Sequence, residues 1–139
     1  LRFQGNLDGA MVDLNEVIRI SPESAEAFHA RGLIFQKRGD HGRAIKDFDN
    51  AIDRNPFVGA PYEARGQSFT ITGKLDAAIE DFNAALNVRN RNAGAWAGLG
   101  LAYERKGNRT KAMESYNRAL IVDQSNTLAS EGLRRVSRG

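Results

Sequence analysis

From Phe28 onward, apolar residues recur at helical spacing, and the pattern itself then recurs. Phe28, Ile34 and Phe35 are followed by Ala44, Ile45, Phe48, Ala51 and Ile52. Steps of three, four and seven residues place such positions on one face of an α-helix. Moved 34 residues on, the stretch that begins FHARGLIFQKRGD returns as YEARGQSFTITGK, and moved again as WAGLGLAYERKGN. A period of this length marks a repeat array in which each unit is one helix pair that cannot bury its apolar face alone.

The breaks between helices repeat at the same period. Gly39-Asp40, Gly73-Lys74 and Gly107-Asn108 fall mid-unit, where a glycine ends the first helix. Pro22 and Pro56 stop a second helix, and Asn90 and Gln124 stand at the matching later places. The spacing predicts helices over about 24–38, 41–54, 58–72, 75–88, 92–106 and 109–122. Residues 1–24 hold only the second half of a unit, so Asp8–Ile20 is expected to be a helix without its partner. Leu1 and Gly5 keep the register of Phe35 and Gly39, so the opening LRFQG reads as native sequence. The half unit also implies that the parent chain extends towards the N-terminus. The expected division is 1–24, a half repeat; 25–58, 59–92 and 93–126, full repeats; and 127–139, a capping helix. That last helix has Ser130 and Arg134 where the aromatic and the glycine would fall, and a more polar terminal element suits a solenoid's end.

Gly32, Gly66 and Gly100 lie mid-helix at one phase, where glycine costs about 1 kcal/mol relative to alanine. The expected compensation is a close approach of the paired helix at Ala44, Ala78 and Ala112. Large side chains fill the space beside it: Phe28, Tyr62 and Trp96; Phe35, Phe69 and Tyr103; Phe48, Phe82 and Tyr116. Ala51, Ala85 and Ala119 leave room for the next unit's aromatic.

These residues at this spacing resemble the tetratricopeptide repeat family over nearly the whole chain. The resemblance implies an all-α fold, a right-handed superhelical solenoid of antiparallel helix pairs, with each first helix lining a concave groove. It also implies a non-enzymatic scaffold that binds a protein or peptide partner. The groove residues expected from projecting the first helices are Glu26, His29, Leu33, Gln36, Lys37, Glu63, Gln67, Thr70, Ala97, Leu101, Glu104 and Arg105. Members that hold a chaperone's C-terminal carboxylate use lysine, asparagine and arginine on these helices. Here the matching places carry His29, Leu33, Ala64, Gly94 and Gly98, and no cation there can satisfy a carboxylate.

One departure from the family pattern is paired. Arg31 and Arg65 stand where leucine is common, and Asp47 and Asp81 sit in the second helices of the same two units. In the third unit both change together, to Leu99 and Ser115. The covariation within the chain predicts ion pairs Arg31–Asp47 and Arg65–Asp81. The rival pairing runs between neighbouring units, as Asp13–Arg31 and Asp47–Arg65.

Composition narrows the function without naming it. Among 139 residues, 41% are hydrophobic and 27% charged, which is ordinary globular usage. Cysteine is absent, so thiol catalysis, disulfides and thiolate metal sites are excluded. The two histidines, His29 and His41, have no second histidine or carboxylate at a ligand spacing, and no cofactor is implied. Gly98-Leu99-Gly100 lacks the third glycine of a dinucleotide loop. No apolar run reaches the ~18 residues of a membrane span. A net charge of +3 from 20 basic and 17 acidic residues gives no basic stripe, so nucleic acid is not the expected partner. The alternative function is self-association through exposed repeat ends.

Overall fold

In the computed structural model, which describes the backbone of residues 2–138 and side chains from Asn6 to Arg138, the chain is a succession of α-helices. They are α1 (Arg2–Ile20), α2 (Ala25–Lys37), α3 (His41–Arg54), α4 (Gly59–Ile71), α5 (Leu75–Val88), α6 (Ala93–Lys106), α7 (Arg109–Val122) and α8 (Thr127–Ser137). The glycines end the first helices as the spacing predicts. Gly39, Gly73 and Gly107 have φ of 81°, 84° and 88°, a region open to glycine at no steric cost. The residue after each donates its N–H back to Phe35, Phe69 or Tyr103, so the last carbonyls of α2, α4 and α6 are satisfied. Ser24, Asp40, Asn92, Asn108 and Asn126 cap the following helices by accepting a backbone N–H three residues on.

The first helix departs from expectation. It begins at Arg2 rather than Asp8 and runs straight through Gly5. The turns at Gly39, Gly73 and Gly107 are closed by the first helix of a pair folding back on the second. Among the described residues α1 packs only on α2, so nothing of that kind turns the chain at Gly5. The register of Leu1 lies outside the described residues. None of α1's described side chains is fully buried, and Arg38 ties it to the end of α2 through Asp8.

A Cβ built on Gly32 would stand 2.6 Å from the Phe48 ring, one on Gly66 3.0 Å from Phe82, and one on Gly100 2.5 Å from Tyr116. The atoms that come nearest each glycine are therefore those of the aromatic ring of the paired helix, beside the buried Ala44, Ala78 and Ala112. The next unit approaches the same rings from the other side. Gly98 lies against Phe82 and Gly132 against Tyr116, both with no room for a methyl group, and Ala64 packs with Phe48. Each ring is thus wedged between two first helices, and Phe48, Phe82 and Tyr116 are at most 1% exposed. Trp96 and Tyr103 pack against both the cluster around Phe82 and the one around Tyr116, which makes the core continuous from α4 to α8.

The predicted ion pairs form. Arg31 donates from Nε and Nη2 to the two oxygens of Asp47, each at 2.8 Å. Arg65 does the same to Asp81 at 2.7 Å. Each guanidinium also lies between two aromatic rings, Phe28 and Phe35 or Tyr62 and Phe69. The rival pairing is not made, but a link to the preceding unit exists at another phase: Arg31 donates to Asn15 at 3.0 Å and Arg65 to Asp49 at 2.7 Å. Burial raises the Asp81 carboxyl although Arg65 pulls it down, while hydrogen bonding to Asp81 raises Arg65.

Candidate functional site

The curvature of the array follows from which helices touch. Among the described residues, the first helices pack on one another, α2 on α4, α4 on α6 and α6 on α8, whereas α3, α5 and α7 make no contact of that kind. The first helices therefore crowd the inner side and the second helices splay outwards.

The inner side holds an open pocket of about 500 Å³. Its wall is built from Gln36 of α2, Gln67, Thr70 and Ile71 of α4, Gly94, Gly98, Leu101 and Arg105 of α6, and Leu128 of α8. The Phe82 ring forms part of its floor beneath Gly98. Among the expected groove residues, then, the fold gathers Gln36, Gln67, Thr70, Leu101 and Arg105 around one space. Leu33 and Lys37 line a separate recess with Leu7. Glu26 and His29 line a third, of about 70 Å³, beside Asn55 and Pro61; His29 lies 6.0 Å from the Phe48 ring, and burial lowers its pKa. Ala97 is fully buried in the core around Tyr116 and offers no surface to a ligand. The small groove residues Ala64 and Gly98 are small because a ring lies beneath them.

Several polar groove side chains are already engaged. Gln36 donates to the Ala64 carbonyl at 2.8 Å and to Ser68 Oγ at 2.9 Å. His41 Nδ1 lies 2.9 Å from the same hydroxyl, so α2, α3 and α4 meet at the fully buried Ser68. Thr70 donates to the Gly66 carbonyl, and Glu63 accepts from Asn92 at 3.0 Å. Glu104 is the most committed. It accepts two hydrogen bonds from Arg135 at 2.9 Å and one from the Tyr116 hydroxyl at 2.7 Å, which binds α6, α7 and α8 together. Sequence projection missed the Glu104–Arg135 pair; the two residues are 31 apart, and no repeated position signals them.

The Arg135 contact holds the Glu104 carboxyl below its ordinary value. The folded form then binds this proton less tightly than the unfolded chain does. Its stabilisation is present above the ordinary glutamate value and is lost as pH falls through the lower folded value. Acidification from about pH 6 to about pH 3 should therefore lower the amide protection of α8, taken relative to the intrinsic exchange rate at each pH, before that of α4 or α6. In Glu104→Gln the α8 amides should lack that pH step; an unchanged step would assign it to another group.

Family comparison agrees with the geometry. A model described as TPR repeat matches residues 1–39 and 66–107, and two described as tetratricopeptide repeat match 25–57 and 93–126. The chain belongs to the tetratricopeptide repeat family. No curated protein matches this tetratricopeptide repeat chain. Similar solved structures include MamA, at 22% identity and a TM-score of 0.88, covering 97% of this chain and 79% of that one. The first TPR of Spaghetti (RPAP3), bound to the HSP90 peptide SRMEEVD, has 23% identity and a TM-score of 0.79, covering 81% and 90%. The Arabidopsis OM64 TPR domain has 22% identity and a TM-score of 0.80, covering 82% and 94%. At these identities the likeness is one of fold. Among the described residues, no helix of this tetratricopeptide repeat array is long and apolar enough to cross a membrane, and no three His, Asp or Glu side chains are grouped to hold a metal ion.

Proposed function

We propose that this chain is a non-catalytic protein-interaction module that takes a segment of a partner protein into the groove between α4, α6 and α8. The observation that carries this reading is the pocket of about 500 Å³ on the concave face. It presents exposed apolar side chains, Ile71 at 60% and Leu128 at 39%, on helices fixed by the buried rings beneath. A rigid, partly apolar concavity with a few polar groups is the form most ligand sites take. Peptide-bound relatives of the fold, such as the RPAP3 domain, support the same use.

The proposal excludes chaperone tails. At the places that would clamp a terminal carboxylate, Ala64 and Gly98 pack over Phe48 and Phe82 and no cation is present. In a display selection on the purified chain, a peptide with a Kd near 10 µM, or about −7 kcal/mol, is the expected product. Leu101→Glu should weaken it at least about tenfold by placing a charge in the apolar wall, whereas Lys46→Ala on exposed α3 should not. Amidating the terminal carboxylate of SRMEEVD should leave its affinity unchanged within about twofold, because no cation is placed to clamp that group. Undiminished binding by Leu101→Glu would remove the groove from the account.

A further inference from the structure

Hydrogen bonding separates the groove's spent groups from its available ones. Of the polar residues around the pocket, Gln36 is used by Ala64 and Ser68, and Thr70 by Gly66. Neighbouring Glu63 and Glu104 are used by Asn92 and by Arg135 and Tyr116. Two lining groups remain uncommitted. Gln67 is exposed and makes no side-chain hydrogen bond. Arg105 is exposed and forms no ion pair; it acts on the Glu104 carboxylate, which is paired with Arg135, only through longer-range charge attraction. Among the described residues that line the pocket, Arg105 is the sole charge.

We propose that the groove selects an extended, internal peptide segment with an apolar residue and, two positions from it, an aspartate or glutamate. This rests on the groove reading above and adds the ligand's chemistry and spacing. Leu101 and Arg105 are four residues apart on α6, so they lie one turn and about 6 Å apart along one face. In an extended segment, side chains two residues apart point the same way at about 6.6 Å. An apolar side chain resting on Leu101, Ile71 and Leu128 therefore brings a carboxylate two positions away to Arg105.

The free amide of Gln67 decides between an extended ligand and a helical one. A side-chain amide offers one acceptor and one donor, matching the N–H and C=O of one peptide unit. An extended segment has such groups unpaired, while a helix has already spent them internally. The carboxylate comes from a side chain rather than a chain terminus because only one cation is present, without the several donors a terminal clamp needs.

The test uses the intact chain and peptides selected on it, measured by fluorescence anisotropy with Arg105→Glu and Leu101→Glu beside the wild type. Selected peptides should share an apolar and an acidic residue two positions apart. Changing the acid to lysine should weaken binding to the wild type about tenfold, and Arg105→Glu should reverse that preference. Binding should not increase the helical circular dichroism of the peptide. If Leu101→Glu abolishes binding but Arg105→Glu leaves the peptide preference intact, or if bound peptides turn helical, the groove reading stands and this inference fails. If Leu101→Glu has no effect, both fail.

Discussion

Phe82→Ala is expected to lower stability by about 3–5 kcal/mol. That corresponds to a melting temperature lower by about 10–15 °C for a chain of this size. The ring is 1% exposed and is held on opposite sides by Gly66 and Gly98. Neither neighbour has a side chain to fill the space left, so the cavity cannot close by rotamer change. The surrounding cluster, from Ala78 and Leu86 to Leu99 and Ala102, joins α4, α5 and α6, and in a linear array no distant contact compensates a weak central joint. Thermal and urea denaturation of both chains checks this. A melting temperature within a degree or two of the wild type would mean that the ring is not the wedge described here.

The second large effect concerns Arg65 and Asp81, for which the third unit supplies a natural control. Arg65→Leu should cost about 3 kcal/mol, because it leaves a carboxylate whose side chain is 5% exposed without its partner. Asp81→Ser should cost less, about 1–2 kcal/mol, since Arg65 is partly exposed and keeps its 2.7 Å contact with Asp49. The double change Arg65→Leu with Asp81→Ser should return to within about 1 kcal/mol of the wild type. It recreates Leu99, buried beside Trp96 and Tyr103, and Ser115, whose hydroxyl donates to the Lys111 carbonyl. A double-mutant cycle measures the coupling. If the two single losses simply added, the pair would not be the interacting unit.

The two predictions draw on different layers of information. The Arg31–Asp47 and Arg65–Asp81 pairs were visible in sequence because both members changed together at Leu99 and Ser115. The cross-unit links through Asn15 and Asp49 went unnoticed, although Asn83 and Asn117 continue the same polar phase. Gly98 and Gly132 likewise share a phase with Ala64, a signal that a ring lies beneath all three.

The repeat period, the helix pairs, the glycine-terminated first helices and the aromatic core were determined by sequence alone. Those features follow from backbone sterics and from apolar spacing of three, four and 34 residues, which a single chain displays directly. The tertiary structure alone decided where α1 begins, what the small residues make room for, and which groove side chains are free. Gln36, Glu63 and Glu104 look like Gln67 and Arg105 on a helical projection; their partners come from other segments, 12 to 32 residues away. A projection gives direction from one axis, whereas the availability of a polar group depends on every donor and acceptor brought within about 3 Å of it.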